Sequence, residues 1–348
     1  MKRLLSVLAL AVVGTLILGS CSSRNYLNMT VTEPAPVTVS SKINKIGIIN
    51  RSTAGMKNHN LDKIDKIISL EGQNLDKDGA RSCVVGLFDE MVASNRFAGV
   101  KIIDSIKGEN PGMGIYPAPL SWEKIDQLCR ANQVDAIFEL SSYDTDSKVS
   151  YSVSTKNVGA LGVSVAVPEH HATIMTLIKT GWSIYDPLNK VILDEYMMNE
   201  SISASGSGIN PMVAVEAILG RKEAAVQMSH KMGQNYAYRI FPYNIRVSRE
   251  YYVRGTDNFK VAKRRAQTGN WDGAAELWAK EVNNPKGKIA GRACYNMAII
   301  NEINGNLDKA IEWASKSYTD YENRYALYYL NVLKYRVNQK NVLREQTK

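Results

Sequence analysis

Few residues in this chain have the type and setting to do chemistry. Glu139 stands inside the apolar run Val134-Asp135-Ala136-Ile137-Phe138-Glu139-Leu140. A carboxylate placed there is either a tuned acid–base group or half of an ion pair, with Arg51 or Arg81 as the cation, and pairing is the commoner arrangement. His170-His171 is the one histidine pair, but neighbours on a strand point to opposite faces. No Cys, Asp or Glu stands at metal-ligand spacing beside them, so the pair reads as part of an exposed loop and no metal is implied. Ser205-Gly206-Ser207-Gly208 has the composition of a phosphate-cradling loop without its following Lys or preceding buried strand, and reads as a flexible connection. Asp144 and Asp146 read as turn residues, and no Gly-x-Ser-x-Gly elbow occurs. These residues make no catalytic constellation. The expectation is a protein that is not an enzyme and needs no cofactor.

The most specific signal is Leu18-Gly19-Ser20-Cys21. Lys2 and Arg3 precede an apolar segment from Leu4 to Leu18, which is shorter than the roughly 20 residues of a membrane span and suits a secretory signal. A Leu, two small residues and a Cys in register resemble a bacterial lipoprotein signal, which implies cleavage before Cys21 and acylation of that cysteine. The resemblance further implies sorting to the outer membrane, because Ser22 and Ser23 include no retaining aspartate. It implies the periplasmic face, because no acidic cluster follows of the kind that exports Bacteroidota lipoproteins; the cell surface is the alternative. Removing Met1 to Ser20 leaves +7 of the formal +9 charge. The basic residues are scattered, and the densest cluster, Lys263-Arg264-Arg265, has no interleaved aromatics, so a nucleic-acid partner is not expected. After Cys21 the cysteines are Cys83, Cys129 and Cys294, each beside apolar residues in a helical pattern, which reads as buried thiols.

The elements that would position these groups follow from periodicity. Residues 21–42 are polar with Pro34 and Pro36 and read as a lipidated tether of roughly 25 Å, although Met29 to Thr32 has the makings of an edge strand. Ile43–Asn50, Val100–Asp104 and Val134–Leu140 read as buried strands, and Lys148–Thr155 as a half-exposed one. Leu61–Ser69, Asp76–Arg96 and Trp122–Asn132 read as helices, the last capped by Ser121. Ala172–Tyr185 and Lys190–Met198 make a hairpin around Asp186-Pro187-Leu188-Asn189. Asn210 and Pro211 open a helix running to about Arg239, and Phe241–Val253 is β-like. Residues 43–254 are therefore expected to form a mixed α/β domain, a sheet of five or six strands with an antiparallel edge and packed helices.

From residue 255 to 348 the pattern is all-α. Gly269-Asn270-Trp271-Asp272-Gly273-Ala274-Ala275-Glu276 returns 36 residues later as Gly305-Asn306-Leu307-Asp308-Lys309-Ala310-Ile311-Glu312. This resembles the tetratricopeptide repeat (TPR): Ala262 and Ala298 hold its small position on helix A, Ala274 and Ala310 that on helix B. Arg265 and Asn301 depart from it where an aromatic is usual, and Lys286-Gly287 lengthens the period. Two repeats and an end helix are marginal alone, so packing on the α/β body is expected.

The mature chain as a whole resembles an uncharacterised family of Bacteroidota lipoproteins with a TPR C-terminus. The residues that carry the resemblance are Ile46 to Ser52, Val134 to Leu140, Trp182 to Pro187, and Tyr236 to Tyr252. More loosely, an opening strand, helices and a Val-Asp-Ala strand are similar to the periplasmic α/β domains of outer-membrane assembly and activator lipoproteins, such as the curli-secretion lipoprotein. The expected role is that of an envelope adaptor or assembly factor. Its TPR-like face would hold a partner protein through Arg292, Tyr295, Asn296 and Trp313, with core packing the competing role for Trp313. The alternative is a glycan- or lipid-binding front domain in which Trp182 and Tyr185 stack on the ligand. A hydrolase with an unrecognised site is the third reading. The pattern leaves the oligomeric state open.

Overall fold

The computed structural model describes residues 23–52, 63–103, 116–160, 163–216 and 221–347; Cys21 and the segment before it lie outside them. The chain divides into two compact units that interleave in sequence. Residues 35–241 form one, and the residues up to 34 join residues 242–347 in the other. Among the described residues, no helix is long and apolar enough to cross a membrane.

The expected tether contains a strand of 10 residues. Strand β1 (Arg24–Glu33) alternates, with Leu27, Val31 and Glu33 buried and Tyr26, Asn28, Thr30 and Thr32 exposed. Ala35, Val37 and Val39 continue the alternation at the start of the second unit and are also buried. The polar average of this stretch conceals a period of two, which is what a half-buried strand requires.

In the unit of residues 35–241, β2 (Lys45–Asn50) leads into helix α1 (Lys63–Ala93), then β3 (Gly99–Ile102), α2 (Trp122–Asn132), β4 (Ala136–Ala160), β5 (Val163–Asp186), β6 (Val191–Gly208), α3 (Pro211–Glu216) and α4 (Arg221–Ala237). The sheet order is β3-β2-β4-β5-β6, parallel among the first three and antiparallel thereafter. Three layers result. Helices α1 and α4 cover Ile46, Ile48, Phe138, Leu140, Trp182 and Ile184, while α2 covers Ile49, Ile137 and Tyr185 with Ile125 and Cys129. Successive residues Ile48 and Ile49 thus feed opposite layers, as the pleat demands. Ser121 caps α2 through a hydrogen bond from Lys124 N–H.

Three local expectations are corrected. The two predicted helices of residues 61–96 are one helix, because no proline interrupts them. Asp144 and Asp146 lie within β4 rather than in a turn, and buried Thr145 between them donates to Asp76 of α1 at 2.5 Å. Ser205 to Gly208 continue β6, paired with Thr173 back to His170, so this segment is no loop. Its small residues have a packing reason: a Cβ on Gly208 would lie 2.7 Å from Val213 Cβ of α3.

Among the described residues, the other unit is a two-stranded ribbon on five helices. Strand β7 (Tyr243–Tyr252) pairs antiparallel with β1 along its whole length, Arg24 opposite Tyr252 and Glu33 opposite Tyr243. Helices α5 (Asp257–Gln267), α6 (Trp271–Ala279), α7 (Gly287–Ile303), α8 (Leu307–Thr319) and α9 (Arg324–Gln346) follow, each packed on the next. Strand β7, which lies before the expected boundary at residue 254, shares a core with the helices: Tyr251, Tyr252 and Val253 pack with Phe259, Trp278, Tyr295 and Ile299. Gly269 and Gly305 take φ of +80° and +74° just past α5 and α7, a conformation that strongly favours glycine.

Cys83, Cys129 and Cys294 are all buried and free. Burial pushes the Cys129 and Cys294 thiols up to about 11 and Cys83 higher still. At about pH 8 a thiol titrating near 11 is roughly one part in a thousand thiolate. Iodoacetamide is thus expected to label all three at least a hundredfold more slowly in the folded protein than in denaturant. For Cys129 and Cys294 the rate should rise about tenfold per pH unit until the thiol titrates. Peptide mass spectrometry over a pH series checks both.

Candidate functional site

Glu139 of β4 is fully buried, and the charge it meets is Arg51, at the end of β2. Arg51 Nε lies 2.9 Å from Glu139 Oε1. The other carboxylate oxygen accepts hydrogen bonds from Ser141 Oγ and Tyr185 Oη, each at 2.9 Å. Ser183 Oγ links Ser141 (2.8 Å) to Tyr116 (2.7 Å), and Arg51 Nη2 donates to Ala118 O at 2.7 Å. Burial raises the carboxyl of Glu139, with Arg51 and the hydroxyls pulling it back, and burial likewise raises the Tyr185 phenol. The network ties β2, β4 and β5 to the segment that precedes α2. Glu139 Oε1 meets Arg51 as an ion pair and accepts no hydrogen bond.

The remaining chemical candidates are dispersed. His170 and His171 sit on β5, not in a loop, and project to opposite faces. His170 stacks on Tyr151 and bonds its hydroxyl, while His171 Nε2 meets Ser154 Oγ at 2.8 Å. Trp182 and Tyr185 are buried in the sheet's two core layers, Trp182 stacked on Tyr236 at 4.6 Å, so neither can stack on a glycan. Cys21 lies outside the described residues.

The four predicted contact residues of the helical unit come together only in part. Arg292, Tyr295 and Asn296 contact the chain's own strand β7 and the residue after its end, Arg254. Asn296 Oδ1 accepts the Tyr252 N–H and its Nδ2 donates to Tyr252 O, both at 2.7 Å, so a helix side chain completes the hydrogen bonding of a strand. Tyr295 packs edge-on against the Tyr252 ring at 5.3 Å. Arg292 lies over that ring at 5.2 Å and donates to Arg254 O at 2.7 Å. Asn296 and Tyr295 are buried by these contacts, which removes them as residues that touch a separate partner. Trp313 stands apart, half-buried against the helical core with Lys316 over its ring.

Sequence reasoning missed the strongest contact of this face. Arg249 of β7 grips Glu302 of α7 with two hydrogen bonds of 2.8 Å, and Tyr329 Oη of α9 donates to the same carboxylate at 2.6 Å. Glu302 is buried, and burial together with its charge holds the Tyr329 phenol well above its ordinary range. The available signal was Glu302 at an inward position of an apolar helix. With the ribbon in place, the unit's exposed apolar side chains include a row on α9: Leu327 (43% exposed), Tyr328 (74%) and Tyr335 (54%).

A mixed sheet layered by helices, with a separate ribbon-and-helix unit, is the class of protein this architecture defines. The chain belongs to the family described as Domain of unknown function (DUF8603), whose model matches residues 43–252. A second model, Domain of unknown function (DUF6340), matches residues 260–335. No curated protein matches the chain. Among solved structures it is similar to the PelC dodecamer from Paraburkholderia phytofirmans, at 11% identity and a TM-score of 0.23, over 60% of this chain and 96% of that one. It is also similar to a putative neuraminyllactose-binding hemagglutinin homolog from Helicobacter pylori, at 10% identity and a TM-score of 0.27, over 59% and 96%. Likenesses this distant bear on no activity.

Proposed function

We propose that this protein is a lipoprotein of the outer membrane, anchored by acyl chains on Cys21 and facing the periplasm. It works without catalysis, as an adaptor or assembly factor for another envelope protein, and its TPR-like helices carry the contact. The lipoprotein part rests on Leu18-Gly19-Ser20-Cys21. The repeat part is supported by Ala262, Ala274, Ala298 and Ala310, all fully buried where paired helices approach, and by the matching positive φ of Gly269 and Gly305.

The observation that carries the adaptor reading is the outer face of α9. A helix that closes a repeat array normally turns polar residues outward, whereas this one exposes Leu327, Tyr328 and Tyr335. Tyrosine is favoured at interface centres because it offers a large rigid surface with a polar tip. A photo-crosslinking amino acid at position 328 of the full-length protein in living cells is expected to capture one discrete protein. Leu327→Glu in the same background should reduce that adduct at least tenfold. Capture from position 153 on β4, with none from 328, would move the function to the sheet unit and sink this assignment.

A further inference from the structure

The ribbon begins almost at the proposed anchor. Ser23 O accepts the Val253 N–H at 3.0 Å, so the chain is already fixed two residues after Cys21. Two residues reach at most about 7 Å. The headgroup layer on each side of a bilayer is only about 5–8 Å thick. An acylated Cys21 at the hydrocarbon boundary would therefore hold this end of the ribbon within headgroup reach, with no spacer between.

The side chains around that end suit such a place. On one flank Arg254, Lys260, Lys263 and Arg264 line a groove beside Val253 with no acidic residue in its wall. On the other flank Lys288 and Arg324 line a groove beside Ser23, with Glu322 as its carboxylate. Arg254, Arg264, Lys288 and Arg324 are exposed, whereas Lys260 is paired with Asp257 at 2.8 Å and Arg24 with Glu250. We infer that this end of the β1–β7 ribbon is a membrane-contact face, its basic flanks set against the headgroups of an anionic bilayer. The face fixes how the helical unit stands on the membrane, where an acyl anchor alone would leave it free to swivel. Each cation near an anionic surface strengthens binding by roughly fivefold.

The inference rests on the anchoring of Cys21, and the two are tested separately. The mature chain from residue 21 onward, carrying Cys21→Ser and hence no acyl group, is mixed with phosphatidylcholine vesicles with or without phosphatidylglycerol, and bound protein is measured by co-sedimentation. Binding is expected only with phosphatidylglycerol, and it should weaken at least twentyfold in Arg254→Glu/Lys263→Glu/Arg264→Glu. The control Lys309→Glu/Lys340→Glu/Arg344→Glu makes the same change of charge in another groove of the same unit, and should stay within about threefold of the parent. Equal loss in both variants would reduce the effect to net charge and overturn the face, as would no preference for phosphatidylglycerol. Circular dichroism confirms that both variants fold. The mass of the N-terminal peptide from the cell-derived protein decides the acylation of Cys21 independently, so one reading can fail while the other stands.

Discussion

Glu302→Ala is expected to lower the stability of the ribbon-and-helix unit by about 3–5 kcal/mol, the usual cost of removing one partner of a buried ion pair. The carboxylate accepts two hydrogen bonds from Arg249 and one from Tyr329. Alanine would strand a guanidinium and a phenol among apolar side chains and open the seam between β7, α7 and α9. Glu302→Gln keeps an acceptor but loses the charge, and should cost about half as much. The triple change Arg249→Met/Glu302→Leu/Tyr329→Phe should recover most of the loss, since nothing polar is then left unpaired. Because the chain has two units, hydrogen exchange read by peptide is the appropriate measurement. Faster exchange confined to β1, β7 and residues 257–346 is expected. An unchanged rate there would mean that the network does not hold the ribbon.

The second large effect lies in the other unit. Helices α1 and α4 approach so closely that a Cβ on Gly233 would sit 1.9 Å from Cys83 O and 2.7 Å from Leu87 N, and one on Gly86 2.0 Å from His230 O. These are backbone atoms, which no side-chain rotation can clear. Gly233→Ala must part the helices and loosen Cys83, Leu87, Met232 and Tyr236 in the core beneath. A clash with backbone atoms puts overpacking at the upper end of its usual range, about 3 kcal/mol, and alanine returns about 1 kcal/mol of helix propensity, so a net loss of about 2 kcal/mol is expected. Gly86→Ala should act alike. The double variant should cost less than the two together, because the first Cβ makes the room that the second needs. Urea denaturation, followed by exchange in peptides of α1 and α4, tests this. Full additivity would argue that the two contacts are independent.

Much of the sheet unit was legible in the sequence, because its strands and helices bury faces that local periodicity reveals. Trp122–Asn132 with its Ser121 cap is found as read, and Glu139 meets one of its two candidate cations. What escaped was long-range. Nothing near Arg24–Glu33 announces a partner strand 212 residues away, at Thr32 opposite Asn244. The Asp144–Asp146 stretch breaks local β propensity, and partners on other elements, β5 beside it and Asp76 of α1, account for the strand's continuing. At the helical face, residue types suggested a surface for a partner protein. They did not disclose that the tenant is already present, since Tyr252 offers Asn296 its backbone rather than a side chain that could be read.

The pairing of β1 with β7 has a consequence for how the protein comes to be. Translation at about 5–20 residues per second leaves β1 waiting roughly 10–40 s for its mate. Throughout that interval Leu27, Met29 and Val31 stand on an unpaired strand. The first strand to be made is therefore paired by the last, and it is the part of the nascent chain with most need of an escort until then.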